Sequence, residues 1–118
     1  MASLKITLVT DAGNRIGPGK AALLESIQSS GSISAAARAM GMDYKRAWLL
    51  LDSLNSAFTT PAVIRNTGGH GGGGAVLTEF GVELVARYRR LESQARMLAA
   101  ADLDALERHA KREVSSKV

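Results

Sequence analysis

Apolar and polar residues alternate at the start of the chain. Leu4, Ile6 and Leu8 fall on one side and Lys5, Thr7 and Val9 on the other, which predicts a half-buried strand. Asp11-Ala-Gly-Asn14 is a turn cluster. The period then lengthens to that of a helix. Pro18 after Gly17 marks the entry, because a proline at the first helical position lacks only an N–H that would have no partner there. Ala21, Leu23, Leu24 and Ile27 form the apolar face, and Gly31 ends the helix as a residue that tolerates positive φ. Ser32 or Ser34 caps a second, short helix with Ile33, Ala36, Ala37 and Met40 on its buried side and Gly41 closing it. Asp43 is a good N-cap for a third helix, from Tyr44 to about Phe58. There Ala47, Leu50, Leu51, Leu54 and Phe58 share one face. Lys45, Leu49 and Asp52 point the opposite way, with Arg46 and Ser53 beside them.

The second half of the chain begins with a short strand, Ala62 to Asn66, after Pro61. Ala75 to Leu77 is the returning strand. Between them, six of the chain's twelve glycines fall within the seven residues 68–74, so the connection is a flexible hairpin tip. Thr78 caps a long final helix with Glu79 in its first turn, where a negative charge is favoured. Leu84, Tyr88, Leu91, Ala95 and Leu98 are spaced by fours and threes, a heptad-like seam. Asp102 interrupts the seam. Leu103 and Leu106 resume an apolar face, so the helix either continues or restarts with Asp102 as its cap. Residues 114–118 are expected to fray.

Length and composition narrow the class. A chain of 118 residues makes one compact domain, and 46% hydrophobic residues can build its core. Aromatics are only 4%, so Leu, Ala, Val, Ile and Met must fill it. The longest apolar runs are five residues, Ala47–Leu51 and Met97–Ala101, against the roughly 20 needed to span a bilayer. No apolar stretch suited to a secretory signal follows the N-terminus. With no cysteine, disulfide scaffolds, thiol nucleophiles and Cys-based zinc sites are excluded. The expectation is a cytoplasmic, nucleoid-associated protein with no membrane partner.

Charge points to a partner. The net charge is +4 and the pI about 9.9. Residues 76–118 carry eight basic and seven acidic groups, whereas residues 1–75 carry seven and four. The excess therefore lies with the first three helices and the hairpin. The second and third helices have helix-turn-helix spacing: Ala36, Met40, Met42, Ala47 and Leu50 lock the angle, Ala37 is the small residue and Gly41 allows the tight turn. A helix held at that angle can enter a major groove about 12 Å wide. Its outward N-terminal half is Tyr44, Lys45, Arg46 and Leu49. Lys45 or Arg46 can bond guanine N7 and O6, or neutralise phosphate. Leu49, apolar on a wet face, fits a thymine methyl or a protein partner. The Tyr44 hydroxyl either packs or reaches a phosphate; for Trp48 packing is the simpler role. Arg65 and Asn66 stand at the base of the hairpin, Arg65 as a phosphate contact or a structural ion pair. Arg87, Arg89 and Arg90 are most simply a solvated helix face.

Other chemistry finds little support. A Walker loop needs Gly-Lys-Ser or Gly-Lys-Thr opening into a helix, and the glycine run lacks it. His70 and His109 are the only histidines and lie far apart in sequence, so no metal site or cofactor is expected. No nucleophile and base are suggestively spaced, and the chain reads as a non-enzyme.

Four segments carry a resemblance: Gly31-Ser-Ile-Ser34, Tyr44-Lys45 with Ala47-Trp48, Thr67-Gly-Gly with Gly71 to Gly74, and Ala75-Val-Leu-Thr78 followed by Gly81. With the long C-terminal helix they resemble the DNA-binding domain of LysR-type regulators, and are more closely similar to the ModE family of molybdate-responsive regulators. The similarity covers about residues 4–98. It implies a mostly α fold with a small β wing: a winged helix-turn-helix over 1–78 (helix-turn-helix 32–58, wing 62–78) and a long dimerisation helix over 79–113. It further implies that the N-terminal strand joins the wing sheet. The function implied is a homodimeric transcription regulator reading a pseudo-palindrome in double-stranded DNA. The DNA-binding residues expected are Ser34, Tyr44, Lys45, Arg46, Leu49, Arg65, Asn66, Thr67, Gly68, Gly69, His70 and Gly71. Those expected to dimerise are Leu84, Tyr88, Leu91, Ala95 and Leu98. The sequence departs from the family pattern at Arg46, where a small residue is usual, at Leu49, where a polar one is, and at His70, where a basic one is. Full-length members look like this domain followed by paired β-barrel modules that bind molybdate. No such segment follows here, so molybdate sensing is not carried over: either the chain is a stand-alone regulator or a separate effector-sensing protein is its partner. The alternative is a winged-helix module that docks such a protein without reading DNA.

Overall fold

The structure, a computed structural model, describes residues 2–66 and 74–112. Its elements are β1 (Leu8–Val9), β2 (Arg15–Ile16), α1 (Pro18–Ser30), α2 (Ile33–Ala39), α3 (Tyr44–Ser56), β3 (Val63–Asn66), β4 (Gly74–Leu77) and α4 (Glu79–His109). The fold is mostly α with a small β wing, as the alternating periods predict.

The helix ends follow local chemistry. Gly31 takes a left-handed φ of 74° and donates its N–H to the Ile27 carbonyl, which stops α1. Of the two candidate caps for α2 it is Ser32 whose hydroxyl accepts the Ala35 N–H; Ser34 lies inside the first turn, exposed. Gly41, φ 69°, makes the turn into α3, and the Asp43 carboxylate accepts the Arg46 N–H at 2.8 Å. The α3 helix ends at Ser56, short of Phe58. Phe58 instead packs on Phe80 at the start of α4, ring centroids 5.0 Å apart.

One apolar core joins these elements. Ile16, Leu23, Leu24, Ile27, Leu51, Leu54 and Tyr88 are its largest fully buried side chains. The wing lies against it through Val63, Ala75 and Leu77, while their neighbours Ile64 and Val76 face outward as a cross-strand pair.

The N-terminal strand differs from expectation. It does not join the wing sheet: β1 pairs with β2 in a separate hairpin, Leu8 opposite Ile16, around a turn in which Gly13 donates to the Thr10 carbonyl. The extra partner of the wing is the α1–α2 junction, where Ser32 bridges Gly74 and the Ala75 N–H reaches the Gly31 carbonyl at 3.0 Å. Residues 4–6 are not strand. The Ile6 carbonyl accepts the Tyr88 hydroxyl at 2.6 Å instead.

The α4 helix runs unbroken through Asp102 and is 31 residues long, about 46 Å at 1.5 Å per residue. Thr78 caps it by accepting the Gly81 N–H at 2.9 Å, and the same hydroxyl donates to the Pro61 carbonyl at 2.7 Å. A Cβ on Gly81 would overlap the Ala62 carbonyl oxygen, so the glycine is what lets α4 start so close to the wing.

The seam along α4 divides. Leu84 and Tyr88 belong to the protein's own core, whereas Leu91 is 46% and Leu98 87% exposed, with Ala95 half-buried between them. A strict heptad drifts about 20° per repeat around a straight helix, and the body takes Glu92 rather than Leu91 on its side. Arg89 is not solvated surface as expected. Its guanidinium holds the Glu25 carboxylate of α1 with two hydrogen bonds, 3.0 and 2.7 Å, and Glu92 with a third at 2.7 Å. That grip lowers the Glu25 pKa below its ordinary value and raises that of Arg89 further. Burial, then the Glu92 charge, push the Tyr88 pKa up. Among the described residues no helix is long and apolar enough to cross a membrane.

Candidate nucleic-acid interface

The helix-turn-helix is set by small residues. Ala36, Ala37 and Ala47 are buried with almost no exposed surface, so α2 and α3 approach closely, and the Met42 N–H reaches back to the Ala37 carbonyl at 3.0 Å. This leaves one flank of α3 outside the core. Tyr44, Lys45, Arg46 and Leu49 are all exposed on it, Leu49 by 60%. Tyr44, Lys45, Trp48, Leu49 and Asp52 line a shallow, largely apolar hollow of about 460 Å³. A protruding helix with cations at its start and an apolar hollow along its side can enter a groove, bond acceptors and cover methyl groups.

The wing is fixed to this helix by two contacts. The Asn55 side chain, near the end of α3, donates to the Val63 carbonyl at 3.0 Å and accepts the N–H groups of Ala62 and Val63 at 2.8 and 3.2 Å. Further out, the Arg65 guanidinium lies over the Trp48 ring, 4.6 Å from its centroid. Among the described residues no carboxylate stands within 4.0 Å of Arg65 to form the ion pair considered for it. Asn66 is exposed beside it, opposite Gly74 in the strand register. Thr67, Gly68, Gly69, His70 and Gly71 lie outside the described residues.

The structure thus brings Tyr44, Lys45, Trp48 and Leu49 around one hollow on α3, with Arg65 of the wing base stacked on Trp48 and Arg46 exposed in the same helical turn. Exposed charges along α2, α3 and β3 are four cations, Arg38, Lys45, Arg46 and Arg65, and two carboxylates, Asp43 and Asp52, of which Asp43 is engaged as a cap. Ser34 is exposed on α2, and among the described residues its side chain has no hydrogen-bond partner. Sequence reasoning missed two contacts between α3 and the wing, those of Asn55 and of Trp48. The signal for Asn55 was a polar side chain at the end of an apolar helix. For Trp48 it was a single tryptophan one turn after Lys45 with an arginine on the following strand. Among the described residues, the titratable groups with displaced pKa, Glu25, Tyr88 and Arg89, stand at the α1–α4 joint.

No family model matches the chain. Curated relatives do. The molybdenum transport protein ModE of Azotobacter vinelandii is 41% identical over 88 residues, 75% of this chain and 33% of that protein. The molybdenum-pterin-binding protein MopB of Rhodobacter capsulatus is 46% identical over 81 residues, 69% of this chain and 30% of the relative. The DNA-binding transcriptional dual regulator ModE of Escherichia coli K12 is 45% identical over 71 residues, 60% and 27% respectively. The chain thus spans a third or less of the length of the curated relatives it matches. A solved structure of a LysR family transcriptional regulator superposes with a TM-score of 0.54 at 19% identity, covering 70% of this chain and 27% of that one. This last likeness bears on the fold, a winged helix-turn-helix followed by a long helix.

Proposed function

Because the chain is akin to the ModE regulators over most of its residues, we propose that it is a DNA-binding transcriptional regulator that places α3 in a major groove. The observation that carries this reading is the exposed start of α3, where Lys45 and Arg46 project from a helix locked by Ala36, Ala37 and Ala47. Lys45 and Arg46 bond guanine acceptors or flanking phosphates, Tyr44 reaches a phosphate, and Leu49 covers a thymine methyl. The wing, from Arg65 and Asn66 through its glycine-rich tip with His70, follows the sugar-phosphate backbone or minor groove. In this reading Thr67, Gly68, Gly69 and Gly71 join that contact, and Ser34 at the start of α2 meets a phosphate.

The protein acts as a homodimer on a pseudo-palindrome, with half-sites one helical turn apart, about 34 Å, or a multiple. Leu91, Ala95 and Leu98 form the contact between copies. No catalytic role is assigned, and any effector, molybdate included, enters through a separate sensing partner or a segment beyond these residues. The locale is the cytoplasm, on the nucleoid.

The test is fluorescence anisotropy on DNA from upstream of the gene's own operon against scrambled DNA across a salt series. A preference of roughly 10³-fold or more, abolished by Lys45→Ala in a dimer that still folds, is the expected result. A second reading rests on the exposed Leu49 and Tyr44 and the apolar hollow between them: a surface that docks a protein partner. Absence of DNA binding even at low salt, with Leu49→Asp blocking assembly with the partner, would favour it.

A further inference from the structure

We propose that Trp48 is a positioning residue: by stacking under Arg65 it holds the wing-base guanidinium in register with the recognition helix, so that Arg65 and Lys45 meet the DNA backbone and groove as one rigid unit. The inference rests on the DNA-binding reading above and adds to it a role for a residue that touches no DNA itself.

Three observations converge. The first is the strand register. Val63, Arg65, Ala75 and Leu77 share the inner face of the wing, with Val63 opposite Leu77 and Arg65 opposite Ala75. Val63, Ala75 and Leu77 are buried, so Arg65 leaves that face at its outer end, on the side of α3 rather than on the side of Ile64 and Val76. The second is the stack itself. The Arg65 Cζ lies 4.6 Å from the centroid of Trp48, well inside the range in which a ring quadrupole attracts a cation. Trp48 is half-buried, so its own position is fixed by the α3 packing. The third is what the guanidinium does not do. Among the described residues it has no carboxylate within 4.0 Å. A guanidinium held by its face keeps its edge N–H groups for a bidentate contact with a phosphate. Arg89, which has two carboxylates, is the contrast: its charge is satisfied inside the fold.

The geometry has a direct consequence. Lys45 and Trp48 are one turn apart on α3 and line the same hollow. Arg65 rides on Trp48, so the distance between the two cations is set by the helix and not by the glycine-rich tip. The inner end of the same joint is held by Asn55 on Val63.

Trp48 is the only tryptophan in the chain, so the stack can be followed without DNA. In the free protein, Arg65→Ala should shift the Trp48 emission and raise its quenching by neutral acrylamide. Unchanged emission and quenching would overturn the proposal by showing that no stack exists in solution. On DNA, a double-mutant cycle is read through the salt dependence of binding. Arg65→Ala should lower the slope of log K against log salt by about one, the signature of a single lost phosphate contact. Trp48→Leu should lower it by the same amount, the double variant should lose no more than either alone, and Trp48→Phe, which keeps a ring face, should restore most of it. Thermal melts accompany each variant, and the Arg65→Ala emission and quenching comparison carries the test if Trp48→Leu does not fold. A Trp48→Leu protein with weakened affinity but an unchanged slope would overturn the proposal and leave Trp48 a packing residue. Losses that add in the double variant would overturn it by making the two residues independent. Wild-type protein that binds no duplex would overturn the DNA-binding reading itself, and the positioning role with it.

Discussion

The Asn55 carboxamide donates to the Val63 carbonyl at 3.0 Å and accepts the Val63 N–H at 3.2 Å, pairing with the strand as a neighbouring strand would. It also accepts from Ala62, which has no exposed surface. Removing the carboxamide leaves buried backbone groups without partners, each costing about 1–3 kcal/mol. Asn55→Ala should therefore lower the urea midpoint by the equivalent of about 2 kcal/mol or more. It should also weaken DNA binding beyond what the lost stability explains, since the wing loses its inner anchor.

Gly81 supplies a second stability test. Alanine normally improves a helix interior by about 1 kcal/mol over glycine. Here the added Cβ overlaps the Ala62 carbonyl, and overpacking of that kind costs typically 1–3 kcal/mol. Gly81→Ala should lower the melting temperature despite its better helix propensity. A raised melting temperature would mean that α4 can withdraw from the wing freely.

The α1–α4 joint predicts a pH dependence. The hydrogen bonds from Arg89 hold the Glu25 pKa below its ordinary 4.5. A carboxylate whose folded pKa is depressed adds stability that is fully present above the unfolded value. It loses that stability as pH falls through the folded value. Urea melts should thus show wild type more stable than Glu25→Gln at neutral pH, with the difference shrinking below the ordinary 4.5. Glu25 is partly exposed, its side chain at 40%, so solvent screening keeps the effect modest. A difference that is constant with pH would mean the ion pair contributes nothing.

The contact between copies is tested on the distal part of α4. Leu98 is 87% exposed and touches no core in one chain. Leu98→Glu should leave the fold intact and shift the sedimentation profile from dimer to monomer, with at least a tenfold loss of self-association, about 1.4 kcal/mol. Tyr88→Phe is the control. It removes a hydrogen bond to Ile6 inside the body and should cost about 1 kcal/mol of stability without changing the oligomeric state. If Leu98→Glu sediments as wild type does, the helix face is not the interface.

Local features were legible in the sequence. Gly31, Gly41, Asp43 and Thr78 end or begin helices through contacts reaching no more than four residues along the chain. Their residue type was therefore enough. So was the face of α3, because Ala47, Leu51 and Leu54 repeat at the helical period. Pairings across the chain were not. The N-terminal strand has the right alternation for any sheet edge, and nothing local says that Leu8 meets Ile16 rather than the wing. Arg89 looks like a surface arginine until α1 brings Glu25, 64 residues earlier, beside it. At the candidate site, periodicity placed Lys45 and Leu49 outward. The stack of Arg65 on Trp48 depended on the angle between strand and helix, which no spacing encodes.

An unbroken α4 converts residue count into angle. Its first turns are clamped by Thr78, Gly81 and Arg89, and its far end carries Leu98 and Leu106 in the open. Each residue inserted between Glu92 and Leu98 would turn the far end by about 100° relative to α3. Seven residues would bring it back to within about 20° while moving it outward by about 10 Å. The helix thus acts as a phasing shaft: its length in residues fixes both how far its exposed end stands from α3 and which way that end faces.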